Sequence, residues 1–195
     1  VYKRQDLVFN NAVFTPFGKI SKEFQQNSII CTAGSKTFNI AGIRASNIII
    51  ADRQRCEVYQ KTLDSGGLGS INLFGTIALE AAYNHGEEWL EQLLDYVQGN
   101  YDYLCDFFAE RFPDINVTPL EGTYLAWVDF SSLGLDEKRL RQLMLHEARV
   151  YLDEGYIFGE GGEGFERVNL ACPRSILAEA LTRIERTINK LAQND

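Results

Sequence analysis

Between Glu87 and about Phe112, the apolar residues Leu90, Leu93, Leu94, Val97, Tyr101, Leu104 and Phe108 recur three and four positions apart. That period fits one face of a helix and no strand, so the segment reads as one long amphipathic helix whose stripe is core. Pro113 ends it, because proline lacks the amide hydrogen that continues the ladder. Upstream, Ser28 to Thr32 and Ile43 to Ala51 are short β-branched runs between Gly and polar residues and read as buried strands. Arg53 to Asp64 reads as a helix closed by Ser65-Gly66-Gly67-Leu68-Gly69, and Ser70 is placed to cap a further helix through about Asn84. Downstream come strands (Val117 to Pro119, Tyr124 to Phe130), a helix (Asp136 to Arg149), strands (Val150 to Leu152, Arg167 to Ala171) and a helix (Arg174 to Leu191). In the last helix Leu177, Leu181, Ile184, Ile188 and Leu191 alternate spacings of four and three. The fold class is α/β.

Composition narrows the function classes. Of 195 residues, 45% are hydrophobic and 24% charged, which is ordinary for a globular chain. Nineteen basic against 27 acidic residues leave a net charge of −8, and the basic ones are scattered, which argues against nucleic acid as a partner. Cys31, Cys56, Cys105 and Cys172 show no ligand spacing, and with only His85 and His146 beside them no metal site is expected. Free thiols fit a cytoplasmic protein, and no stretch approaches the roughly 20 apolar residues of a membrane span.

The chemistry concentrates in Cys31-Thr32-Ala33-Gly34-Ser35-Lys36-Thr37-Phe38-Asn39-Ile40-Ala41-Gly42-Ile43-Arg44. A lysine amine condenses with an aldehyde, small neighbours let backbone approach a ring and a phosphate, and the guanidinium eight places on can fork onto phosphate oxygens. The set points to pyridoxal phosphate. A P-loop reading of Gly34-Ser35-Lys36-Thr37 fails, because Gly must directly precede the lysine with another Gly five residues earlier. In Ser65 to Gly69, a flexible connector is favoured over a phosphate loop, since no phosphate-binding spacing is present.

Ser35-Lys36-Thr37-Phe38-Asn39-Ile40-Ala41-Gly42 resembles the cofactor-lysine motif of fold-type-I pyridoxal-phosphate enzymes, the class I/II aminotransferase superfamily, and is nearest its cystathionine β-lyase (carbon-sulfur lyase) branch. The run from Gly161 to Arg174, which ends Asn169-Leu170-Ala171-Cys172-Pro173-Arg174, is similar to the C-terminal motif closed by that family's carboxylate-binding arginine. Glu121 to Phe130 resembles its first small-domain strand. The resemblance implies the end of a large three-layer α/β/α cofactor domain over residues 1–85, an interdomain helix over 86–114, and a small α/β sandwich domain over 115–195. It also implies roles: Lys36 holds pyridoxal 5'-phosphate and takes the Cα proton, Arg44 contacts the cofactor phosphate, and Arg174 grips the substrate α-carboxylate. Ser35 is left between phosphate contact and simple relief of crowding, and Asn169 between orienting the carboxylate and satisfying local backbone. Cys172 reads as a packed thiol rather than a nucleophile.

The implied activity is β-elimination from a sulfur-containing amino acid to thiol, ammonia and pyruvate. Class I/II transamination is the alternative, and a non-catalytic binding or dimerisation module a third. A homodimer is implied, with the segment around Gly66 to Gly75 nearest the partner. Family members are about twice this length and carry an Asp-Glu-Ile-His-x-Asp motif whose end matches Asp6-Leu7-Val8-Phe9. Counting back puts Val1 in place of the aspartate and Arg4 in place of the histidine, so residues 1–5 read as foreign and the chain as truncated at its N-terminus. Alone, it is expected to be inactive.

Overall fold

The structure is a computed structural model that describes residues 2–191 and 193. Val1, the position matched to the aspartate, lies outside the described residues. The chain divides into two compact units, Val1–Leu94 with Glu121–Thr123, and Asp95–Leu120 with Tyr124–Asp195.

In the first unit, Tyr2 bridges to Thr32 and Val8 to Gly122, and Leu7 and Phe9 are buried. A short helix α1 (Lys22–Gln26) starts at Ser21, whose side chain accepts from the Phe24 amide. Strands β1 (Ile30–Thr32) and β2 (Asn47–Ile49) pair antiparallel, with Ile30 opposite Ile49 and Thr32 opposite Asn47. Both are shorter than the sequence suggests, and β2 is exposed throughout, Ile49 by 53%. Two features break the expected run: Ala41–Ile43 form a 3-10 turn, and Arg44 after it is left-handed at φ 56, ψ 46. Among the described residues no third strand covers the ribbon, so it is not buried.

Helix α2 (Arg53–Ser65) is capped by Asp52, which accepts from the Arg55 amide, and stops at Gly66 before the left-handed Gly67 (φ 65). Helix α3 (Leu73–His85) begins at Asn72, not Ser70; the Asn72 side chain accepts from the Phe74 amide at 3.0 Å. Its apolar residues Leu73, Phe74 and Ile77 stay exposed, and of its residues only Gly75 is buried. Helix α4 (Glu87–Arg111) realises the long stripe, with Val97, Leu104, Phe107 and Phe108 buried.

The second unit carries a four-stranded antiparallel sheet in the order β3-β4-β6-β5, from β3 (Asn116–Val117), β4 (Leu125–Asp129), β5 (Asp153–Glu154) and β6 (Phe165–Asn169). Alternation along β4 and β6 turns Ala126, Val128, Glu166 and Val168 inward. Helix α5 (Glu137–Arg141), capped by Asp136, runs into a π-helical segment, Gln142–Glu147, which closes with the Ala148 amide on the Leu143 carbonyl. Helix α6 (Arg174–Leu191) buries Leu177, Leu181, Ile184, Thr187 and Ile188.

Three strand positions shift from expectation. β3 starts one residue early and stops at Val117. Val150 donates to the Met144 carbonyl at the helix end, and Arg149 is left-handed at φ 56, so pairing with β6 waits until Asp153. β6 ends at Asn169 because its side-chain oxygen takes the Ala171 amide out of the ladder at 3.0 Å.

Candidate active site

Lys36 stands in the turn between β1 and β2. The turn is closed by Phe38 N on Gly34 O (2.9 Å) and Ile40 N on Ser35 O (3.0 Å). Thr37, fully buried, donates its hydroxyl to Asp6 Oδ2 at 2.8 Å, and the same oxygen accepts from Gln5 Nε2 (3.0 Å) and Tyr83 OH (3.3 Å). Burial first, then the Asp6 carboxylate, raise the Tyr83 phenol above its ordinary range. Lys36, the neighbour of Thr37 in the turn, is half-buried.

The small residues here serve packing first. A Cβ on Gly34 would meet Leu79 Cδ1 at 3.0 Å and Tyr83 Cε2 at 3.2 Å, so α3 presses on the turn. One on Gly86 would meet Phe38 Cε1 at 2.8 Å. Phe38 in turn sits edge-on to Tyr83, 5.1 Å between centroids. The turn is clamped from behind by α3 and Asp6.

Its polar groups divide sharply. Thr37 is engaged, whereas the Ser35 hydroxyl, the Lys36 amine and the Arg44 guanidinium have no hydrogen-bond or ion-pair partner among the described residues. Arg44 is exposed and holds its left-handed backbone at the end of the 3-10 turn. An amine, a hydroxyl and a guanidinium thus lie within ten residues of sequence, none of them engaged by another described residue.

The second unit holds Arg174 and Asn169. Arg174 opens α6, and its guanidinium donates from Nε to Asn100 Oδ1 at 2.6 Å and lies over the Tyr103 ring, Cζ 4.8 Å from the centroid. Its backbone amide donates to Tyr96 OH at 2.8 Å. Asn100 is completely buried, and its Nδ2 donates to the carbonyls of Leu170 (2.8 Å) and Cys172 (3.0 Å). Asn169 is exposed, and its side-chain oxygen serves the Ala171 amide. Burial raises the Cys172 thiol above its usual value, and its Sγ faces the Asn169 carbonyl at 3.5 Å, the surroundings of a packed thiol.

Three side chains that touch Arg174 escape a reading by motif, Tyr96, Asn100 and Tyr103, whereas Asp6, which holds Thr37, lies at the end of a motif match. Asn100 left a trace, since it is a polar residue in the row Val97, Asn100, Leu104 that is otherwise apolar.

The aminotransferase class I and II family matches residues 5–184. Cystathionine beta-lyase PatB of Bacillus subtilis (strain 168) is 39% identical over 184 residues, covering 94% of this chain and 48% of that protein. Protein MalY of Escherichia coli (strain K12) is 32% identical over 177 residues, 90% of this chain and 45% of that protein. The crystal structure of cystalysin from Treponema denticola, which contains a pyridoxal 5'-phosphate cofactor, superposes with a TM-score of 0.92 at 37% identity, over 97% of this chain and 49% of that one. The chain thus spans about half the length of the curated relatives it matches.

Proposed function

We propose, for a chain that belongs to the aminotransferase class I and II family, that it forms part of a pyridoxal-phosphate-dependent carbon-sulfur β-lyase acting on a sulfur-containing amino acid. The observation that carries this is likeness to a cystathionine beta-lyase along nearly the whole of this chain. The groups around Lys36 suit the cofactor: the Lys36 amine would hold its aldehyde, and Ser35 and Arg44 would hold its phosphate. When bound, the cofactor ring supplies an electron sink for the carbanion at the substrate Cα.

The protein's own groups do the rest. Lys36 Nζ removes the Cα proton, and the thiolate at Cβ then leaves. Arg174 would hold the α-carboxylate through a planar, charge-assisted fork and so orient the substrate Cα, and Asn169 Nδ2 lies close in sequence to assist. On this reading residues 1–85 act as the cofactor domain and 115–195 as the small domain. The active form is a homodimer in the cytoplasm. Four free cysteines support the compartment, and no helix among the described residues is long and apolar enough to cross a membrane.

Arg44 favours the second reading, transamination, because the lyase branch does not always carry an arginine there. Product analysis separates the two. A polypeptide of the relatives' full length that carries this chain is expected to release pyruvate and free thiol from L-cystathionine without any added 2-oxo acid, and Lys36→Ala to abolish that release. An absolute requirement for a 2-oxo acid acceptor makes it an aminotransferase. Undiminished release by Lys36→Ala overturns the lysine assignment.

A further inference from the structure

One face of one helix is given over to Arg174. Tyr96, Asn100 and Tyr103 stand at spacings of four and three on α4, so they project to the same side. Each takes a different part of the arginine: Tyr96 its backbone amide, Asn100 its Nε, Tyr103 the face of its guanidinium. Asn100 cannot turn over, because its Nδ2 is committed to the carbonyls of Leu170 and Cys172, which leaves its oxygen for Nε alone.

Gly99 completes the arrangement. A Cβ there would stand 3.2 Å from Arg174 Nη2, so the Nε and Nη2 edge of the guanidinium lies against the helix. Neither Nη has a hydrogen-bond partner among the described residues.

We propose that Tyr96, Asn100 and Tyr103 are positioning residues that hold Arg174 with Nε occupied and both Nη groups presented, so that a carboxylate is gripped end-on by Nη1 and Nη2. This rests on the reading of Arg174 as the carboxylate arginine. A guanidinium already ordered loses little freedom on binding, and truncating its supports weakens binding without touching the bond-breaking step.

The test uses the holoenzyme with L-cystathionine, together with nitrogen-15 NMR of the arginine Nε–H groups. Arg174 Nε–H is expected to exchange with water at least about tenfold more slowly than that of the exposed Arg53, since it is donated to a buried oxygen. Gly99→Ala should raise KM by about tenfold and change kcat by less than about twofold, because it displaces Nη2 and leaves the chemistry alone. The same substitution improves helix propensity, so Tm should hold or rise, the opposite of what a purely structural role predicts. Tyr103→Leu should raise KM in the same way. Asn100→Ala should abolish the slow exchange; if it fails to fold, the Gly99 and Tyr103 variants decide the matter. KM unchanged in both of those variants, or Nε–H exchange as fast as at Arg53, overturns the proposal. Arg174→Lys with unchanged KM overturns instead the carboxylate role itself, and the positioning role with it.

Discussion

Replacing Glu166 by glutamine should stabilise the protein, and only at higher pH. Glu166 is 1% exposed on the inner face of β6, its Oε2 without a hydrogen-bond partner among the described residues, and β5 places Glu154 opposite it and Asp153 beside that. Burial first, then Glu154, then Asp153, push its carboxyl from 4.5 up to about 7. The nearby cations are committed elsewhere: Arg141 pairs with Glu154, and Arg167 with Asp153.

A carboxyl whose folded pKa lies above its unfolded one binds more protons when folded. Its contribution is therefore harmless below about pH 4.5 and grows unfavourable as pH rises toward 7, reaching about 3 kcal/mol above that. Roughly 2 kcal/mol of this falls between pH 5.5 and 8. Urea unfolding of wild type and Glu166→Gln at those two pH values isolates the effect, because every other carboxylate is common to both. The gain in stability on substitution should be about 2 kcal/mol larger at pH 8 than at pH 5.5. An equal gain or loss at both refutes the idea that Glu166 is held neutral by its surroundings.

Two further outcomes follow from the first unit. Thr37→Val removes the hydroxyl held by Asp6 and should cut borohydride-trapped labelling of Lys36 by pyridoxal phosphate several-fold at about 1–3 kcal/mol of stability, while Thr37→Ser keeps both; mass spectrometry of the labelled peptide reads the result, and full labelling of Thr37→Val counts against the clamp. Asn72→Ala should lower stability by about 1 kcal/mol in thermal unfolding through loss of the α3 cap, whereas Ser70→Ala, outside the helix start, should leave it unchanged.

Periodicity made the long elements legible. The stripes of α4 and α6 are statements about burial, and α6 begins at Arg174 and ends at Leu191 as its spacing predicts. Short elements were less so, because their limits are set by single backbone choices. The left-handed residues Arg44 and Arg149 cut two expected strands, and neither is a glycine or asparagine that would have announced it. The π-helical segment keeps Leu143 and Met144 inside, with Leu140 buried before it and Ala148 after it, a pattern that an ordinary helix also accommodates. Glu166 was readable from alternation with Val168, which turns it inward, but its discomfort depends on Glu154 across the sheet. Motifs pointed to Lys36, Arg44 and Arg174 as types suited to a reaction; Asp6, which braces the lysine turn, also ends a motif match, but Tyr96, Asn100 and Tyr103, which brace Arg174, come from distant sequence and carry none.

Arg44 makes a conflict for anyone improving this protein. Its left-handed backbone disfavours any side chain by up to about 1–2 kcal/mol relative to glycine. Selection on thermal resistance alone would accordingly reward Arg44→Gly, and repeated rounds of it would erase the guanidinium eight residues after Lys36 without any loss of fold to give warning. A library scored by melting and a library scored by turnover should therefore diverge first at this position, and an arginine kept there through long drift would record a demand that came from chemistry.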